Sequence, residues 1–231
     1  MTCLFSPLGE DSHCFKRSYK GKEYLIEKDC CIKIAKPNTI KNEVELEEKA
    51  EFAIYPYSIK DGKIEVIEEN TFKRKYPNAY DFLYENKEEL ESRDKGKGNY
   101  PVWYAYGRTQ GLNNQGYKLL IPYMSGEAIA VLSLDPELLF YCGYAIISDN
   151  IDELKLLRLF LKSKIFWYYL CKTSKPYAKG YMSLAKNYIA GFSIPELSED
   201  EKEELFNIDN QKDRDVWICN KYNIDINALV L

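Results

Sequence analysis

The sequence predicts an α+β fold, with a mixed or mainly antiparallel sheet built from hairpins in the first two-thirds and helices concentrated toward the C-terminus. Two observations carry this. Alternating runs rich in β-formers, punctuated by turn residues, fill much of the chain to about residue 147, whereas extended helical periodicity dominates after Asn150. With 231 residues, 20 tyrosines and 10 phenylalanines, the chain has material for a large core and is not disordered.

Residues 1–22 have little periodicity and read as an incomplete N-terminal edge. Short strands are expected at 24–27 and 31–34, with a turn at Pro37, Asn38 and Thr39, and the acidic residues 43–50 read as a solvated connection. Residues 51–59 (EFAIYPYSI) alternate, and Asp61-Gly62 followed by KIEVI marks a two-stranded hairpin. Pro77 opens a helix running to Arg93, with Ala79, Phe82, Leu83, Asn86 and Leu90 on one stripe. A glycine-broken basic loop, 93–99, follows. Strands are then expected at 102–106, 117–122, 128–134 and 139–147. Asn150 caps one long helix over 151–172, whose stripe runs through Ile151, Leu154, Leu157, Leu161 and Ile165. A Pro/Lys/Gly loop at 173–180 leads into a helix at 181–190 closed by Gly191. Ser198 with Glu201 forms a capping box that starts an acidic helix, and a last helix holds Val216, Trp217 and Ile218. These elements divide the chain into a domain at 1–195 and an acidic helical appendage at 196–231.

Composition excludes several classes of function. No apolar run is long enough to span a membrane, and the N-terminus lacks the pattern of a secretion signal, so a cytoplasmic protein is expected. Seven cysteines without a CxxC pair argue against a disulfide framework and a zinc site. The single histidine, His13, adjoins Cys14, and adjacent residues seldom face each other as a nucleophile and base must. The net charge of −4 is unevenly spread: residues 158–187 hold seven bases and no acid, while residues 196–215 hold nine acids against three bases. Such asymmetry suits one face meeting an anion, although lysines that only keep a helix solvated give the same pattern.

Residues 103–114 (WYAYGRTQGLNN) concentrate amphipathic rings, one arginine and several amides in a glycine-punctuated segment. Tyr104, Arg108, Thr109, Gln110, Asn113 and Asn114 carry the groups that read base edges in DNA, where arginine pairs with guanine and amides with adenine. A polar surface loop is the plain alternative. Trp103, Tyr55 and Tyr57 also read as packing residues, Arg93 as a group satisfying the last carbonyls of its helix, and Gly107 and Gly111 as turn formers.

Six segments in order add to this reading: FAIYPY (52–57), YPNAYDFLYENKEELESR (76–93), WYAYGRTQG (103–111), KLLIP (118–122), LLRLFLKSKIFWYY (156–169) and GYMSLAKNYIAGFSIP (180–195). Together they resemble the TaqI-like C-terminal specificity domain, the target recognition part of adenine-specific DNA methyltransferases and fused restriction-modification enzymes. The chain departs from that pattern at Leu161-Lys162-Ser163 and at Lys179-Gly180. It also carries neither the Asn/Asp-Pro-Pro-Tyr/Phe segment that holds the flipped adenine nor a glycine-rich turn for S-adenosylmethionine.

The resemblance implies a sequence-specific double-stranded DNA-binding domain that is not an enzyme by itself. It would work with a methyltransferase catalytic domain, in cis or in trans, which would bind S-adenosylmethionine and flip the base. Arg93, Lys95, Lys97, Lys118, Lys175, Lys179 and Lys186, with Tyr177 and Tyr181, are then expected on phosphates. Two other readings remain. A metal-dependent nuclease is disfavoured because Asp61, Lys63 and Glu65 sit at a hairpin tip, and a protein-interaction module would dock through the acidic tail.

Overall fold

A computed structural model describes residues 3–109 and 111–230. It is α+β, with antiparallel strand pairs early and helices late, as expected. The chain forms two compact units: Met1–Ala35, Ala50–Gln115 and Glu137–Leu139 make the first, and Lys36–Lys49, Gly116–Pro136 and Phe140–Leu231 the second.

In the first unit, Cys14–Tyr19 pairs with Lys22–Glu27 through a turn at Lys20 (φ 51) and Gly21 (φ 78). Two successive positive φ values match the twist of the strands they join. The sequence hid this hairpin because Arg17 occupies an inward position and breaks the apolar alternation. Arg17 is 2% exposed, and its guanidinium lies 4.2 Å from the Phe82 ring centre. Leu4–Phe5, Glu51–Ile54 and Cys31–Ala35 pair antiparallel in that order. Tyr57–Lys60 and Lys63–Val66 form the hairpin expected from Asp61-Gly62, with φ of 51 and 74 at the two turn residues.

Three helices pack against these strands. Glu69–Lys75 was not anticipated; Glu68 caps it, accepting from the backbone of Asn70 and Thr71. The helix from Pro77 ends at Glu85, and a separate short helix spans Lys87–Glu91. Asn86 makes the break: it is buried, and its amide donates to the Phe82 carbonyl at 2.9 Å. The Glu27 carboxylate accepts from Asn78 N and Ala79 N, both at 2.8 Å, satisfying donors that a proline-led helix start leaves open. The core is Ile54, Phe72, Ala79, Phe82 and Leu83, all fully buried.

In the second unit, Tyr117–Ile121 lies between Val131–Ser133 and Tyr144–Ser148, antiparallel to both. The single helix expected at 151–172 is two, Ile151–Leu161 and Lys164–Thr173. Ser163 separates them. It is fully buried in extended backbone, its Oγ donating to Phe160 O at 2.6 Å and accepting from Phe166 N at 3.3 Å. The residues 43–50, expected as a connection, contain the helix Glu43–Lys49, which buries Leu46 and holds Arg158 at 2.9 Å through Glu43. The segment 181–190 holds the strand Met182–Ser183 and the short helix Lys186–Ile189. The capping box at Ser198 and Glu201 starts Glu199–Phe206, and Gln211–Lys221 follows. Leu205, Ile218 and Cys219 pack in one cluster with Phe160 and Ile165. Among the described residues no helix is long and apolar enough to cross a membrane, and no group of histidine, cysteine and carboxylate residues could hold a metal.

Candidate nucleic-acid interface

The stretch at 103–114 splits into two halves of opposite character. No strand forms at 102–106; these residues are turns fixed by side chains. Tyr104 is fully buried, stacks 5.3 Å from Phe72 and donates its hydroxyl to Ile67 O at 2.6 Å. The Tyr106 hydroxyl donates to Ile54 O, and Tyr106 N donates to the Tyr57 hydroxyl. Trp103 Nε1 donates to Glu69 at 3.0 Å and packs against the core. Burial pushes the Tyr104 and Tyr57 phenols up to about 12, so both stay protonated at neutral pH. Tyr104 therefore leaves the base-reading set, because its hydroxyl is spent inside the fold.

Arg93 is the second clamp. Its guanidinium donates to Leu90 O, to Ala105 O at 2.9 Å and to Trp103 O at 2.8 Å, and it lies 4.6 Å from the Tyr100 ring centre. The expected phosphate contact is replaced by a tie between a helix end and the start of the loop, the alternative that its position after Leu90 suggested. Tyr100 in turn donates to the Asp94 carboxylate.

Beyond Tyr106 the character reverses. Gly107, Arg108, Thr109, Gly111 and Asn113 are exposed and Asn114 is half-buried, while Leu112, 8% exposed, is buried. Leu112 N donates to Thr109 O at 3.0 Å and Gln115 N to Asn113 O at 2.9 Å, so the turn is held by its own backbone. Among the described residues, none accepts or donates a hydrogen bond to the side chains of Arg108, Asn113 or Asn114. Gln110 lies outside the described residues. A cleft of about 460 Å³ runs beside this loop, walled by Tyr57, Ile64 and Val66 of the hairpin and by Pro101, Tyr106, Thr109 and Asn113. Lys95 and Lys97 are exposed on the neighbouring turn, where Asp94 and Lys95 both adopt positive φ.

The other lysines lie in the second unit. Lys175, Tyr177, Lys179 and Tyr181 form a tight hairpin, with Ser183 N donating to Lys175 O at 2.9 Å and Tyr177 N to Tyr181 O at 2.7 Å. Lys179 (φ 62) and Gly180 (φ 74) make its turn. Tyr177 and Tyr181 are 41% and 43% exposed, and Lys186 is exposed on the next helix. Lys118 does not join them: it is fully buried, its Nζ donating to Gly116 O at 2.7 Å and Pro136 O at 2.8 Å, and burial lowers its pKa. The basic run from Arg158 is also partly used internally, Arg158 on Glu43 and Lys164 on Ile226 O at 3.3 Å. The support that the sequence did not flag is Glu69, whose role depends on Trp103, a partner distant in the chain.

Each unit, taken by itself, exposes groups that can meet an anion, Arg108, Lys95 and Lys97 in the first and Lys175, Lys179 and Lys186 in the second, and the chain is related over part of its length to restriction-modification enzymes. In particular, 104 residues are 32% identical to the "Type II restriction enzyme and methyltransferase RM.Eco57I" of Escherichia coli, a match covering 42% of this chain and 10% of that protein. No family model matches the chain. It thus spans about a tenth of that relative's length.

Proposed function

We propose that the chain is a target recognition domain of the TaqI-like specificity type, acting in an adenine-specific DNA methyltransferase or fused restriction-modification enzyme. The observation that carries this is the loop after Tyr106, where Arg108, Thr109 and Asn113 stand exposed on a mount fixed by Arg93, Tyr104 and Tyr106. Preorganised donors and acceptors read base edges at less entropic cost than mobile ones. The activities of the related enzyme, restriction and methyl transfer, agree with a DNA substrate. Arg108, Thr109, Asn113 and Asn114, with Gln110, read bases; Lys95, Lys97, Lys175, Lys179 and Lys186, with Tyr177 and Tyr181, hold the backbone. Methyl transfer, base extrusion and S-adenosylmethionine belong to a separate catalytic domain. The acidic residues at 196–231 are proposed as the surface meeting that domain.

Fluorescence anisotropy with a randomised duplex pool across a salt series, followed by sequencing of the bound fraction, tests this reading. Enrichment of a short adenine-containing site, with affinity falling steeply in salt, is expected. Replacing Arg108 by alanine should cost about 1–3 kcal/mol of discrimination at one position. No binding at low salt would turn the reading toward a protein-interaction module.

A further inference from the structure

The hairpin Tyr57–Lys60 and Lys63–Val66 is a two-stranded sheet that no third strand among the described residues joins. Its base is seated: Tyr57 is 8% exposed, with its ring centre 5.2 Å from that of Tyr106. The rest stands clear, since Ser58, Ile59, Lys60, Asp61, Gly62 and Lys63 are all exposed, Ile59 to 62%. Two-residue alternation places Ile59 on the side of Tyr57, Ile64 and Val66, which walls the cleft shared with Thr109 and Asn113.

Lys60 and Lys63 are paired directly across the strands. Like charges in that position destabilise a hairpin, and no carboxylate among the described residues forms an ion pair with either. Asp61 is used by the turn, where its positive φ suits Asp-Gly chemistry. An unpaired cation pair on one face of the ribbon and a bare aliphatic side chain on the other match a polyanion that also offers an apolar edge.

We propose that this hairpin enters the major groove of duplex DNA as a second reading element beside the 107–114 loop, an inference that rests on the recognition reading above. Lys60 and Lys63 meet phosphates on the groove walls, and Ile59 packs on the C5-methyl of a thymine. A groove ~12 Å wide admits a two-stranded ribbon, and the thymine methyl is its apolar feature.

The test compares the wild-type chain, the double variant Lys60→Ala/Lys63→Ala, Ile59→Ala and Arg108→Ala on the selected site, with each thymine replaced in turn by uracil. The double variant should flatten the salt slope by about 1.8 and weaken all sequences alike. Its melting temperature should hold or rise, since a repulsive pair is removed, which separates lost contact from lost fold. Uracil at one position should weaken the wild type about fourfold, the equivalent of one buried methyl, and leave Ile59→Ala unaffected. If the wild type binds and Arg108→Ala alters its preference, yet the double variant keeps the full slope and Ile59→Ala stays uracil-sensitive, the hairpin assignment is overturned and the recognition reading stands. If the wild type binds no DNA at low salt, both fall.

Discussion

Tyr104 and Tyr106 in the first unit and Tyr177 and Tyr181 in the second are set in similar company, short segments with glycine and a cation close by, yet they end in opposite places. The first pair turns inward and gives its hydroxyls to Ile67 O and Ile54 O; the second stays at least 41% exposed on a lysine-bearing turn. The difference teaches that a tyrosine's hydroxyl is no guide to its role. What decides is whether an acceptor carbonyl at the edge of the core lies within reach. Residues 102–106 run past a helix and a strand end that offer such carbonyls, whereas residues 175–181 pair with their own return strand and leave the rings outside.

That contrast is open to direct attack. Tyr104→Ala should destabilise the protein by about 3–5 kcal/mol in urea unfolding, the range for deleting a fully buried ring, whereas Tyr177→Ala should stay within about 0.5 kcal/mol. Equal losses would erase the distinction. Arg93→Lys should cost about 1.5–3 kcal/mol, because an ammonium cannot reproduce the fork that ties Leu90 to Trp103 and Ala105. Limited proteolysis of that variant should cut within 107–114 sooner than in the wild type. Arg108→Ala, by contrast, should leave the melting curve within about 0.5 kcal/mol of wild type while changing DNA preference.

The second unit has a pH signature of its own. Lys221 at 2.6 Å and the Ser198 backbone N–H at 2.7 Å lower the Glu201 carboxyl from 4.5 to about 2. A depressed carboxylate stabilises the fold above its unfolded value and loses that contribution as pH falls toward its folded value. Thermal melts between pH 4.5 and 2 should therefore decline less steeply for Glu201→Gln than for wild type, the smallest effect named here.

The fold was legible where local chemistry dictates geometry. Asp61-Gly62 and the Ser198 capping box announce themselves because each needs only neighbours within four residues. The breaks at Asn86 and Ser163 were not legible, since the apolar stripes on either side continue in phase and only a buried side chain bonding back three or four residues reveals the interruption. Arg17 concealed a hairpin for the related reason that a cation stacked on rings mimics a surface residue in sequence. Within the candidate site, Gly107 marks the border between the buried mount and the exposed tip, and no residue-type argument could have placed it there. Lys118 resembled a phosphate ligand by charge alone, and only its two carbonyl acceptors, one of them eighteen residues away, return it to the interior.

The interleaving of the two units has a consequence for inheritance. Residues 36–49 interrupt the first unit and residues 137–139 return to it, so neither unit is a continuous stretch of chain. A genetic crossover between positions 36 and 139 divides both. A change of side chain on an exposed turn leaves either core intact, whereas an exchange of gene blocks at such a position cuts through both.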